Sequence, residues 1–231
     1  MPFGTSPIVV NGQLGLQSAR QALSYAGKYY LATNPTPGTA IAYALKTAYS
    51  ATANGLFSIS NGNPLGSGIG IQLDRLILQQ TATVPTGTVY MRAEVYLEST
   101  IMAIGTAVAA VTPVNSNSYY ANTSQATVTF FSAGAGTVPA AVGSRRLLAT
   151  ASLATGVTVL GDSFTFEFGS DGSRGGKTGL TAARATDLAD LVCALPPITI
   201  APQHSAYMNL WWVTQAANTP SFEFTLGYAE A

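Results

Sequence analysis

One stretch of this 231-residue chain ends in the Gly-Lys-Thr of a phosphate-binding loop: Gly172-Ser173-Arg174-Gly175-Gly176-Lys177-Thr178. Such a loop needs a glycine five residues before the last one, so that backbone N–H groups can wrap a phosphate and feed a helix. Asp171 holds that position, and a carboxylate there would repel the ligand. A surface loop is the better reading. His204 is the single histidine, so any Ser-His-Asp arrangement would be built on it. No serine sits in a Gly-x-Ser-x-Gly elbow, and the Pro202-Gln203 context reads as a loop leading into a strand. Glu94, Glu98, Glu167 and Glu223 all fall on expected strands, where a pair could in principle serve glycoside hydrolysis. Their alternation with apolar residues places them instead on solvent or subunit faces. Asp162, Asp171, Asp187 and Asp190 are too sparse for an EF-hand loop. No catalytic residue, metal ligand or cofactor is expected, and the chain is read as a non-enzyme.

Aromatic residues carry more information. Tyr29-Tyr30, Tyr119-Tyr120 and Trp211-Trp212 are adjacent pairs, and neighbours on a strand point to opposite faces. One ring of Trp211-Trp212 therefore needs cover away from the core. A subunit interface, the N-terminal segment of the same chain, or a stacked sugar would each supply it. These six residues are the candidate interface set.

The elements that must hold them follow from periodicity. Phe222, Phe224, Leu226 and Tyr228 alternate with polar or small residues, as do Phe164, Phe166 and Phe168. Met91, Ala93, Val95 and Leu97 form a third such face. Further strands are expected over 69–80, 126–132, 147–151, 155–160, 197–201 and 206–214, separated by Gly, Pro, Asn and Ser clusters. Ahead of residue 55 the composition favours helices. One is expected over 14–26, stopped by Gly27, and another from Thr39 to Tyr49. The prolines of Asn34-Pro35-Thr36-Pro37-Gly38 stiffen the segment between them. The expected fold is mainly β: an antiparallel β-sandwich, jelly-roll-like, over 56–231, with a short, partly helical N-terminal appendage over 1–55.

Only 9% of residues are charged, against roughly 25% in ordinary soluble domains. A surface so poor in ions is expected to be hidden by neighbours or by lipid. No apolar run approaches the ~20 residues of a helical span: Ile101–Val111 is broken by Gly105 and stopped by Pro113. A membrane is therefore not expected, nor is nucleic acid, because ten basic and ten acidic residues balance. The first residues lack the pattern of a secretory signal, and one cysteine, Cys193, forms no internal disulfide. Assembly in a reducing cytoplasm is the expectation.

Several segments, taken in order, resemble virion structural proteins of tailed bacteriophages. They are Asn34-Pro35-Thr36-Pro37-Gly38-Thr39-Ala40-Ile41, Gly161-Asp162-Ser163-Phe164 through Phe168-Gly169, Pro197-Ile198-Thr199-Ile200-Ala201-Pro202, Leu210-Trp211-Trp212 and Phe222 through Tyr228. The resemblance implies a capsid cement, or decoration, protein seated on the outside of the shell formed by the major capsid protein. It further implies a homo-oligomer, commonly a trimer, with no cofactor and no active-site residues. Two other classes are carried beside it: a receptor-binding or fibre-type module recognising a host glycan, and a cell-wall hydrolase.

Overall fold

The computed structural model describes residues 6–10, 13–17, 19–42, 57–82, 90–102, 108–131, 145–154, 160–169, 191–213 and 221–231. Its N-terminal elements are β1 (Ser6–Val10), β2 (Gln13–Gln17), α1 (Ala19–Tyr25), β3 (Tyr29–Thr33) and β4 (Ile41–Ala42). There follow β5 (Phe57–Asn61), β6 (Ile71–Ala82), β7 (Tyr90–Glu98), β8 (Val108–Val111), β9 (Val114–Asn115) and β10 (Ala126–Phe131). The last part supplies β11 (Arg145–Ala154), β12 (Ser163–Phe168), β13 (Leu191–Leu195), β14 (Thr199–Ile200), β15 (Ser205–Val213) and β16 (Ser221–Glu230).

Pairing reveals the winding. Take β3, β5, β6, β7, β11, β12, β15 and β16 in chain order, and they pair from the outside inward: β3 with β16, β5 with β15, β6 with β12, β7 with β11, all antiparallel. The ladder between β6 and β16 joins the first and third pairs into one sheet, and the ladder between β7 and β15 joins the other two. A long hairpin wound across two sheets in this way is a jelly roll. Between its fourth and fifth strands lies an insertion: β10 extends the second sheet beside β5, β8 adds beside β10, and β9 pairs with β3 at the edge of the first. β13 runs parallel to β12, and among the described residues every other strand pairing is antiparallel.

Alternation explains why these segments are strands. Along β12, Phe164, Phe166 and Phe168 are buried while Ser163, Thr165 and Glu167 are only partly covered. Their rings meet the apolar set of β16, where Phe222 lies edge-on to Phe164 at 5.8 Å. Across the sandwich Phe130 of β10 stacks on Phe224 of β16, so aromatic contact crosses between the sheets. The second sheet is buried on its outer side too. Ser58, Ser60, Ser205, Tyr207 and Glu98 are shielded from solvent although they alternate with core residues. Part of that cover is the chain after β7: Ser205 Oγ accepts from Met102 N at 2.8 Å and donates to Thr100 O at 2.9 Å. With its proton so used, Ser205 accepts from Ser60 Oγ at 2.8 Å.

The N-terminal segment differs from expectation in three ways. Residues 13–17 are a strand, because Leu14 and Leu16 recur at spacing two across Gly15 and Val10 pairs with Gln13 around Asn11-Gly12, a dipeptide favoured in two-residue hairpins. The helix is therefore confined to Ala19–Tyr25. It does stop at Gly27, where φ is +68°: Gly27 N bonds Ser24 O and Lys28 N bonds Leu23 O, the paired bonds of a Schellman end. The helix expected from Thr39 is replaced at its start by β4, whose Ile41 and Ala42 pair with Phe222 and Ser221; residues 43–50 lie outside the described set. Both β3 and β4 precede residue 55, yet each lies in the first large sheet beside β16. Of the expected strand over 155–160, Leu160 is in a turn and the remainder lies outside the described residues.

Candidate interaction surface

Tyr29 and Tyr30, expected at an interface, are instead buried inside the chain at 4% exposure each. Strand β3 lies between β16 and β9 in the sheet, with Tyr30 facing the core and Tyr29 facing Asp74 and Arg20 on the other side. Tyr29 donates its hydroxyl to Asp74 Oδ2 at 2.5 Å, and Arg20 of α1 grips the same carboxylate through Nη2 at 2.8 Å and Nε at 2.6 Å. The cluster ties helix to sheet. Tyr30 stacks on Tyr228 at 5.8 Å, and the Tyr228 hydroxyl bonds Ser124 Oγ at 2.6 Å. Glu98, expected on an outer face, is likewise buried, and Glu94 accepts from the Tyr96 hydroxyl at 2.5 Å. In backbone register Trp211 and Trp212 lie opposite Arg92 and Met91. Their side chains, like the glycine-rich segment at 172–178, fall outside the described residues.

Burial raises the proton affinity of two of these phenols well above the ordinary range; Asp74 adds to the effect at Tyr29, and Ser124 opposes it at Tyr228. The unfolded chain ionises its tyrosines near pH 10, before the folded one does. Stability is therefore complete below about pH 10 and falls as pH rises beyond it, by up to about 1.4 kcal/mol per pH unit for each such residue. Denaturant midpoints measured from pH 8 to 11 are expected to decline only in the upper part of that range. Tyr29→Phe should flatten the decline; an unchanged slope would contradict the assignment.

Tyr119 and Tyr120 lie on the turn that follows β9, packed against the end of α1. Asn115 Nδ2 donates to Gly27 O at 2.8 Å, Asn117 Nδ2 to Tyr25 O at 3.2 Å, and Ser116 Oγ to Ser24 Oγ at 2.7 Å. Asn117 Oδ1 accepts from Tyr119 N at 3.0 Å, which closes the turn. The Tyr120 ring lies over Gly27, where a Cβ would fall 2.6 Å from it. Held this way, the corner presents Tyr119 at 88%, Tyr25 at 77% and Val114 at 64% exposure. Tyr119 meets Tyr120 edge-on at 5.5 Å. Three large apolar side chains are thus exposed where hydrogen bonds tie the turn to the end of α1.

At one end of the sandwich a polar knot shapes a cavity of about 260 Å³ lined by Leu97, Glu98, Ser99, Thr199, Ile200, Ala201 and His204. Nearby, the Asn61 amide uses its full capacity. It donates to Ile69 O and Ile200 O and accepts from Asn63 N and Nδ2, all within 3.0 Å. Gln203, at φ 62°, is held by its own bonds to Asn61 O, Gly62 O and Asn63 O. His204 donates from Nδ1 to Pro202 O at 2.8 Å. That bond orients the ring toward its own loop. Among the described residues no cluster of three metal-ligating side chains occurs, and no helix is long and apolar enough to cross a membrane.

Tyr25 and Val114 do not stand out from sequence by type, yet for Val114 a signal exists. From Ser99 through Ser144 the chain contains no Asp, Glu, Lys, Arg or His. That run covers the whole insertion of β8, β9 and β10, and a charge-free stretch that still reaches solvent fits an interface core, where charge is depleted. The fold and corner together define a jelly-roll sandwich with an exposed apolar corner. Compared with known families, curated proteins and solved structures, the chain has no match.

Proposed function

We propose that the chain is a structural subunit of a bacteriophage virion, a capsid cement or decoration protein that clamps neighbouring major capsid proteins from outside the shell. It acts as a homo-oligomer, with a trimer favoured, and performs no reaction. The observation that carries this reading is the hydrogen-bonded corner that exposes Tyr25, Val114 and Tyr119 on a jelly-roll body, the last two within a run free of charged residues. Contacts of this kind gain from apolar burial and lose little when salt rises. Virions lacking the protein are expected to release DNA at a lower temperature than complete ones, read by dye access during a heating ramp. Equal endurance of the two would reject the clamp.

A second reading, a receptor-binding or fibre-type module for a host glycan, is favoured by the edge-to-face Tyr119–Tyr120 pair beside the Asn117 amide. An aromatic face next to hydrogen-bonding groups suits a sugar ring. Glycan-array binding that disappears in Tyr119→Ala, Trp211→Ala or Trp212→Ala would select it over the clamp.

A further inference from the structure

We propose that β1 and β2 form an arm that adds to the open β8 edge of a second copy of this chain. The inference deepens the assembly reading and rests on it. β1 and β2 pair with each other over five residues, and among the described residues neither joins the two large sheets. An isolated two-stranded hairpin is marginal in water and gains by joining a larger sheet. β8 offers such a place. Among the described residues it is the last strand of the second sheet, paired on one side only, with β10. Edge strands normally discourage added strands with lysine, proline or an inward charge. Val108-Ala109-Ala110-Val111 carries none of these.

Charge selects the occupant. The first charged side chain in the sequence is Arg20, so the arm is neutral throughout, as is the insertion that holds β8. Apposing two neutral surfaces buries backbone groups in paired form and desolvates no ion. Three residues beyond β8, exposed Val114 begins the apolar corner that also holds Tyr119 and Tyr25. The arm matches it in composition with Ile8, Val9, Val10, Leu14 and Leu16. Arm and edge are different surfaces, so each copy donates to one neighbour and accepts from another. Contacts of that head-to-tail kind close into rings where the rotation between neighbours closes and run on as filaments where it does not.

The test uses full-length chains in a Cys193→Ser background. Val9→Cys and Ala110→Cys are placed on separately tagged copies, co-expressed and oxidised. A cross-linked species carrying both tags is the expected product. Light scattering is run beside it on the unmodified chain and on Val9→Asp/Leu14→Asp, and the charged variant is expected to fall to the mass of one protomer. No two-tag product from an oligomeric chain would overturn the arm and leave the assembly reading standing. A cross-link inside single chains carrying both cysteines would overturn it as well. An unmodified chain that is monomeric at every concentration would sink both.

Discussion

Phe224→Ala is expected to lower stability by about 4 kcal/mol, because truncating a buried aromatic removes its transfer free energy and leaves a cavity that a close-packed core fills poorly. Phe224 is 2% exposed, pairs in register with Leu78 on β6, and stacks on Phe130 from the opposite sheet. Phe130 in turn packs on Phe57 at 6.0 Å, so one truncation loosens β5, β10 and β16 together. For a chain of this size the melting temperature should fall by roughly 10 °C. Tyr119→Ala, at an exposed ring, is the matched control and should stay within about 0.5 kcal/mol. Calorimetry of both variants decides the matter. A drop of less than about 3 °C for Phe224→Ala would mean that the core is centred elsewhere.

The strands that read clearly in sequence are those with one face in the core and one outside it. β12 alternates over its whole length, and β16 does so from Phe222 to Leu226. β5 shows no period because all five of its residues are buried: Ser58 and Ser60 look solvent-facing by type, yet both are interior, Ser60 bonded to the Ser205 that the chain after β7 covers. β3 was hidden for a related reason. Tyr29-Tyr30-Leu31-Ala32 is a continuous apolar run, and such a run shows no period to distinguish a doubly covered strand from a helix. The same effect misplaced the interface candidates. Adjacent tyrosines imply two faces in both pairs, but only the tertiary fold places Tyr30 in the core and Tyr29 on Asp74 and Arg20, while Tyr119 sits exposed on a turn.

Gly227→Ala is expected to cost about 3 kcal/mol, a large effect for one methyl group, because the added Cβ would collide with the Tyr29 hydroxyl. A side-chain tip usually swings aside. This one is held at 2.5 Å by Asp74, which is itself gripped by Arg20, and the ring has 4% exposure. Moving it would leave a buried carboxylate with one partner fewer, the step that makes broken buried pairs expensive. β16 also shifts register between Gly227 and Tyr228, where it passes from Arg75 to Leu73 on β6, so its backbone has little freedom to retreat. The argument predicts coupling. In Tyr29→Leu the hydroxyl is gone, and adding Gly227→Ala to that background should cost less than about 1 kcal/mol, a gap of about 2 kcal/mol from additivity. Denaturant titration of the four chains measures it. Simple additivity would show that Gly227 is needed for its backbone freedom and not for the tyrosine that lies against it.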